Sequence, residues 1–520
     1  MEKVVSISLF FGICVFISIV TIRIAMSLMG HFGILDQPGG HKQHDISTPF
    51  TGGFGVFAVL IAAIYLTPRY FPDISLHPLH VMALGGAILF ATGLADDIWN
   101  LNFRTRFFIQ GLVAMLMIVL GGVELQSLGQ LALGNGIKLG VWAAPFTVFA
   151  TVGLINAFNM IDGIDGISGS LAFISLGFVA LVAGFAGNNV YLLLIIAVMG
   201  GVAGFLYFNL RYPSNSRARV FLGDNGSMLL GFVLAWLFIA LSQGEQRAMT
   251  PVTALWLFGV PLIDTIGVML RRLSMGKSPF CADRNHLHHL FIRAGFRVND
   301  TVWIISLVQT GLGAIGIAGL LLAVPEYLMF GLFLVIFAAY FYFTVQPWRV
   351  VPALRRANLA LGLPSAHAHG VFIGHFPKAA SREILAILRN ELGCLHDYRI
   401  SLHRNNHKAL AASNTYGMVE IVGNENEASL GEIRRLMARI KLRLDGRPGV
   451  QVRLLMQRTK EHDRRDTGAV TDERAEQVVR NREGERRKPQ YNTEIYSTVG
   501  DKSRTKPGAA QVQDPPLSII

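Results

Sequence analysis

Five stretches of this chain carry residues able to do chemistry, and each interrupts or closes an apolar run. In "INAFNMIDGIDGISG", residues 155 to 169, Asn156, Asn159, Asp162 and Asp165 recur every three residues. On a continuous helix they would drift slowly round one side. Gly163 and Gly166 instead favour a break into a loop whose backbone can approach a ligand closely. Amides and acids so placed can read a nucleobase or hold a sugar hydroxyl. In "GLADDIWNL", 93 to 101, Asp96 and Asp97 close an apolar run. Adjacent carboxylates that lose hydration stay ionised most easily with a cation beside them. In "RARVFLGDNGSM", 217 to 228, Asp224 stands between Gly223 and Gly226, a setting that suits a direct metal ligand, and Arg217 and Arg219 can balance phosphate charge.

The fourth stretch, "DQPGGHKQHDISTPFTGG" at 36 to 53, offers Lys42 and His44 as cationic donors. Its Gly52-Gly53 pair opens the next helix, where exposed backbone N–H groups would suit an anion. The fifth, "DRNHLHHLFIRAGF" at 283 to 296, sets Arg284, His286, His288 and His289 among further cations. His286 and His289 are three apart, so a helix brings them to one face. No cysteine or carboxylate set completes a tetrahedral zinc site, and a diphosphate fits better. Each stretch has a blander reading: a polar connector, a solvated helix end, or structural histidines. Asp264, in "PLIDTIGVMLRR", lies about two turns inside an apolar run counted from Arg271. A buried ion pair or hydrogen-bonded helix contact and a catalytic role both fit it. Taken together, several acids, three histidines and many cations suit phosphoryl transfer. In that chemistry Mg²⁺ is held by one or two carboxylates plus substrate phosphates, and cations neutralise developing charge.

The elements that must position these groups are membrane helices. Of 520 residues, 52% are hydrophobic, and the mean hydropathy is +0.44. The apolar runs fall in residues 1 to 345, and several approach the ~20 residues that cross a bilayer. Eleven spans are predicted, at 4–29, 51–67, 80–95, 107–123, 140–157, 168–186, 190–208, 226–241, 252–270, 302–323 and 328–345. The first is too long for a cleaved signal peptide and leads straight into further spans. One set of connecting loops carries twelve Lys and Arg, the opposite set only Arg69, Lys138 and Arg247. The positive-inside rule makes the first set cytoplasmic, with the amino terminus outside and the carboxy-terminal part inside. The acids near that inner side are all Asp, and Glu2, Glu124, Glu245 and Glu326 fall outside. The three cysteines are scattered and imply neither a disulfide framework nor a zinc cluster. The net charge of +12 is accounted for by basic residues beside membrane segments, and no nucleic-acid partner is expected.

After a linker at 346–370, residues 371–457 alternate strand and helix signals. Strands are predicted at 371–376, 396–403, 416–422 and 450–456, and amphipathic helices at 379–392 and 427–444. The order β-α-β-β-α-β is a ferredoxin-like α+β pattern. Such a domain can sense a metabolite, form a homodimer or dock a partner protein. Residues 458–520 hold thirteen Lys and Arg and eleven Asp and Glu without hydrophobic periodicity, and are predicted to be disordered. The fold class is thus an all-α polytopic membrane protein with a small cytoplasmic α+β domain and a charged tail.

The Lys42/His44 loop with TP and GG, the DD pair, "NAFNMIDGIDG", "FLGDNGS" and "HLHH" together resemble the polyprenyl-phosphate N-acetylhexosamine-1-phosphate transferases, glycosyltransferase family 4. The pieces occur in the family's order over residues 36 to 289. Leu287 interrupts the histidine run, which resembles the WecA-like branch rather than the MraY branch. The resemblance implies that a UDP-sugar, best UDP-GlcNAc, gives its sugar 1-phosphate to undecaprenyl phosphate with Mg²⁺ (or Mn²⁺) and releases UMP. This step initiates a cell-envelope glycan such as O-antigen at the bacterial inner membrane. Another UDP-N-acetylhexosamine, or UDP-MurNAc-pentapeptide, would use the same motifs. The resemblance makes Asp224 the main metal ligand, with Asn159 beside it. Asp96, Asp97, His286, His288 and His289 become catalytic. Lys42, His44, Asn156, Asn159, Asp162, Asp165, Arg217, Arg219 and Arg284 become substrate-binding. A transporter, the rival class, would place its polar groups near the midplane at a repeat interface, and no internal repeat is visible.

Overall fold

The computed structural model describes residues 2–32, 48–72, 76–131, 136–212, 215, 217–245, 247–279, 285–345, 347–361, 369–377, 381–392, 398–405, 414–421, 439–440, 442–444, 452–456 and 491–496. Lys42, His44 and Arg284 lie outside them, as does most of 427–444. The chain divides into two compact units. One comprises residues 1–293 and 298–351, the other 294–297 and 352–520.

The first unit is helical throughout. Its helices are α1 (Glu2–Phe32), α2 (Gly52–Tyr70), α3 (His77–Trp99), α4 (Phe103–Val119), α5 (Ala143–Ile161), α6 (Ile167–Phe185), α7 (Asn189–Asn209), α8 (Gly223–Ala240), α9 (Pro251–Leu257), α10 (Gly259–Ser274), α11 (Leu287–Arg293), α12 (Val298–Leu321) and α13 (Glu326–Thr344). Among the described residues, nine helices are long and apolar enough to cross a membrane, ten if the bent α9–α10 pair is one span. The chain is a multi-pass membrane protein. Every expected span is helical, but α4 has only 17 residues, about 26 Å at 1.5 Å per residue. That is short of a hydrocarbon core of about 30 Å.

α8 is the central helix, 83% buried over its apolar window, and it packs on α2, α3 and α5. α1 and α13 lie at the periphery, only 17% buried, and expose Leu9, Phe16, Val335 and Phe343 to the surroundings. Close packing around α8 depends on small residues. A Cβ on Gly93 of α3 would lie 2.4 Å from the backbone of Asp224. Any side chain there would push the two helix ends apart.

α9 and α10 meet at an angle of 85°. The bend frees backbone groups inside an apolar bundle, where an unpaired donor or acceptor is costly. Gln309 of α12, fully buried, satisfies both sides: its Nε2 donates to Leu257 O at 2.7 Å, and its Oε1 accepts from Val260 N at 2.9 Å. Ser175 Oγ of α6 adds a second donor to Leu257 O at 2.7 Å. The bend turns α10 so that Asp264 is buried.

The second unit holds α14 (Pro347–Ala360, in part), α15 (Ser381–Leu392) and five strands. These are β1 (His369–Pro377), β2 (Tyr398–Asn405), β3 (Asn414–Ile421), β4 (Val452–Met456) and β5 (Tyr491–Tyr496). They form one sheet in the order β4-β1-β3-β2-β5, every neighbour antiparallel. The register of β1 on β3 shifts between Ile373 and Phe376. The fifth strand falls in the tail read as disordered: Tyr491–Tyr496 pairs along β2, from Asn405↔Tyr491 to Ile400↔Tyr496. Its alternating Tyr, Thr and Ile are β-formers hidden in an otherwise charged stretch.

Candidate active site

Helix ends converge at one end of the first unit. α3 closes on Asp96 and Asp97, then turns at Asn100, whose φ of 51° is left-handed. Asn is among the few residues that adopt this conformation readily. Asn102 then caps α4, its side chain accepting from Arg104 N at 3.1 Å. This tight connection brings Arg106, one turn into α4, back over the acids. Arg106 Nη1 lies 2.5 Å from Asp96 Oδ2 and 3.3 Å from Asp224 Oδ2. Asp96 is buried, and its Oδ1 accepts from Leu101 N at 2.7 Å.

Asp97 faces a different task. Its Oδ1 accepts from Asp224 N at 2.9 Å, and its Oδ2 from Asn225 Nδ2 at 2.6 Å and Asn225 N at 3.3 Å. The first turn of a helix leaves N–H groups unpaired and carries a partial positive charge. Asp97 thus caps α8 from another helix. Gly223 permits the approach: its φ is 74°, and a Cβ there would lie 2.7 Å from Asp97 Oδ2. Asn159, near the end of α5, donates from Nδ2 to Asp224 Oδ1 at 2.5 Å and to Ser227 Oγ at 2.8 Å. Asp96, Asp97, Asn159 and Asp224 therefore come together at the ends of α3, α5 and α8.

Among the described residues, no three His, Cys, Asp or Glu side chains converge on one metal position. Two contacts account for this. Arg106 stands between Asp96 and Asp224, and Asp97 turns to backbone N–H groups.

The remaining members of "NAFNMIDGIDG" divide. Asn156 donates to Gln110 Oε1 of α4 at 2.6 Å and to Val152 O at 2.8 Å. Asp165 is buried, its Oδ2 accepting from Arg211 Nε at 2.7 Å and Ala218 N at 3.1 Å, so it ties the 211–219 segment to this turn. Asp162, half-buried just beyond α5, accepts from Ser168 Oγ at 2.6 Å. Burial, reinforced by the charges of Asp97 and Asp165, raises its pKa to about 6 despite that bond. Arg217 and Arg219 are exposed, and Arg219 Nε donates to Asn215 Oδ1 at 3.1 Å.

The histidine stretch is anchored by Asp264. That buried carboxylate accepts from Leu287 N at 2.9 Å and from Tyr340 OH of α13 at 2.6 Å, and pairs with His286 Nδ1 at 2.9 Å. Of the two roles open to Asp264, the structure shows the hydrogen-bonded contact. His286 stacks on His288, their planes 6° apart, and His288 meets His289 at 4.2 Å between centroids. His288 is 1% exposed, and burial, with His289 beside it, holds its pKa well below the ordinary histidine range. A Cβ on Gly163 would overlap His288 Nε2, so the histidines back directly onto the Asp162–Asp165 turn.

One expectation is overturned. The Gly52-Gly53 helix start offers no free N–H to an anion. Gly52 N donates to Phe221 O at 3.0 Å and Gly53 N to Leu222 O at 3.2 Å. The glycines are there for contact instead: a Cβ on Gly53 would lie 2.6 Å from the backbone of Gly226.

Arg106, Gln110 and Tyr340 are among the residues that sequence reading gave no role in the site. Their partners lie 10, 46 and 76 residues away, on other elements.

Residues 79–242 match the model of "Glycosyl transferase family 4". An undecaprenyl-phosphate alpha-N-acetylglucosaminyl 1-phosphate transferase of Yersinia pestis is 34% identical over 338 residues, 65% of this chain and 91% of the relative. Proteins of the same name from Salmonella typhi (34% identical, 69% and 95% covered) and Haemophilus influenzae (35%, 65% and 93%) are equally similar. The chain belongs to glycosyl transferase family 4. The family match spans α3 through α8 and so includes every acid of the cluster, Asp96, Asp97, Asp162, Asp165 and Asp224, whereas the Asp264–histidine group lies beyond it.

Proposed function

We propose that this protein transfers GlcNAc 1-phosphate from UDP-GlcNAc to undecaprenyl phosphate, releasing UMP. The observation that carries the reading is the cluster of Asp96, Asp224 and Asn159 on three helix ends, in a chain whose relatives bear the name of this reaction. Its hard oxygens fit Mg²⁺ or Mn²⁺ better than a softer metal. Asp224 and Asp96 are the residues that would hold the ion, with Asn159 beside Asp224. Its chemistry there is to polarise the donor diphosphate and neutralise charge on the leaving UMP.

The donor phosphorus that bears the sugar accepts an oxygen of the lipid phosphate. Its bond to the bridging oxygen breaks, and UMP departs with the electron pair. A single displacement is favoured over a phospho-aspartate route because both Asp97 oxygens are held by α8 N–H and amide donors. Asp162 and the turn before α6 face the donor nucleotide and sugar in this reading, and the neutral His288 braces that turn.

The twelve-to-three asymmetry of basic residues supports eleven spans, a cytoplasmic site and an external amino terminus in the bacterial inner membrane. The strand order β4-β1-β3-β2 supports a ferredoxin-like second unit extended by β5. Homodimerisation or docking of a downstream glycosyltransferase fits such a unit.

The test uses the purified full-length protein with undecaprenyl phosphate, Mg²⁺ and a panel of UDP-sugars, following UMP. UDP-GlcNAc should give the fastest release, and a chelator should abolish it. Absence of UMP with every sugar would sink the enzyme reading, and undiminished release by Asp224→Asn would sink the metal assignment.

A further inference from the structure

We infer that Arg106 is an internal counter-ion that occupies the cation position between Asp96 and Asp224, and that divalent metal binds by displacing it. The inference rests on the metal assignment proposed above and concerns how the site opens to the ion.

Each carboxylate oxygen of the cluster has an identifiable donor. Asp97 Oδ1 and Oδ2 are taken by Asp224 N and by Asn225. Asp96 Oδ1 is taken by Leu101 N, and Asp224 Oδ1 by Asn159. These donors are backbone groups or short amides fixed by helix geometry. Moving the backbone donors means unwinding the start of α8 or the end of α3. Only Asp96 Oδ2 and Asp224 Oδ2 depend on a donor that can leave, the single Nη1 of Arg106. Its side chain is 27% exposed and long, so rotation about its own bonds suffices to carry the guanidinium away.

The electrostatics point the same way. Asp96 is 5% exposed and Asp224 30%, and two carboxylates that face one another out of water repel unless a cation lies between them. A guanidinium fills that role without metal. A divalent ion carries twice the charge and coordinates oxygen directly, so it displaces the weaker cation from the same two oxygens. The freed guanidinium remains one helical turn from the site's edge. There it meets whichever phosphate arrives with the metal, and a planar fork suits phosphate oxygens. One residue thus neutralises the acids before the metal binds and the phosphate afterwards.

The experiment measures Mn²⁺ binding to detergent-purified full-length protein by electron paramagnetic resonance, for wild type, Arg106→Gln, Arg106→Lys and Asp224→Asn. Displacement predicts that Arg106→Gln binds Mn²⁺ about ten-fold more tightly than wild type, with Arg106→Lys between them, since Lys carries the charge without the fork. In parallel, site-resolved phenylglyoxal labelling of wild type should show Arg106 becoming several-fold more reactive when Mg²⁺ is added. Equal or weaker Mn²⁺ binding by Arg106→Gln, or Arg106 labelling that Mg²⁺ leaves unchanged or lowers, overturns the inference while leaving the metal assignment standing. Binding that is absent from wild type, or that Asp224→Asn leaves intact, removes the metal assignment and this inference with it. UMP release by Arg106→Gln in saturating Mg²⁺ should fall, because the phosphate contact is gone.

Discussion

Asp96 and Asp97 are adjacent in sequence and opposite in duty. Asp97 is bonded to the backbone of α8, whereas Asp96 looks across Arg106 to Asp224. Asp97→Asn puts an amide N–H₂ against donors it cannot accept from, which should cost about 1–3 kcal/mol of stability and most of the turnover. Asp96→Asn should lose turnover at least about a hundred-fold while its melting temperature stays near that of wild type, because Arg106 can rotate away. UMP release and thermal melts on the same preparations check both, and a wild-type melt for Asp97→Asn would refute the capping role. Asp162 adds a pH dependence. Its folded pKa of about 6 lies above the ordinary 3.8, so its protonation stabilises the fold below about pH 4, and that contribution is lost as pH rises through 6. Asp162→Asn should therefore match wild type near pH 4 and exceed it near pH 7, by about 1–2 kcal/mol after screening at a half-buried site. Melts of the pair across pH 4–8 read the difference, and a constant gap would contradict it. These acids were legible in the sequence because carboxylates and amides are conspicuous where apolar runs end. Arg106 was legible only as one loop cation among twelve, since the backbone turn that folds it over Asp96 depends on Asn100 and Asn102, which carry no chemical signal of their own.

At the level of elements, the helices were readable from hydropathy alone, but their breaks were not. The 252–270 run reads as one continuous span, yet it bends by 85° because Gln309, buried in α12, supplies the hydrogen bonds that the bend requires. A lone Gln in an apolar helix gives no hint of the backbone it serves 49 and 52 residues earlier. Gln309→Leu leaves Val260 N without this partner and should destabilise by about 2–4 kcal/mol. Through α10 it should also loosen Asp264 and the histidines. Hydrogen exchange of the 285–291 peptide, faster in the variant, is the measurement, and unchanged protection would uncouple the bend from the site. The "TPFTGG" reading failed for a related reason. A glycine pair at a helix start serves anion binding and close packing equally well, and only the neighbouring α8 decides between them.

At the scale of the molecule, the relatives align over 338 residues and nine-tenths of their own length, so a body of that size suffices for members of this family. Every described residue of the cluster lies in the first unit. A protein ending after Val351 should therefore retain at least about half the UMP release per folded molecule, measured in membranes with undecaprenyl phosphate. Loss of nearly all activity in a well-folded truncation would give the second unit a direct part in turnover. In the second unit, six residues of a charged tail, Tyr491–Tyr496, carry too little pattern to stand out as a strand. The long reach of the Asp97 bonds bears on biogenesis. Asp97 and its partners on α8 are separated by 127 and 128 residues. During insertion into the bilayer, α3 enters with an acid whose partners have not yet been synthesised, and four helices, α4 to α7, must follow before α8 arrives. A nascent chain arrested before α8 therefore lacks the donors that hold Asp97 in the finished fold.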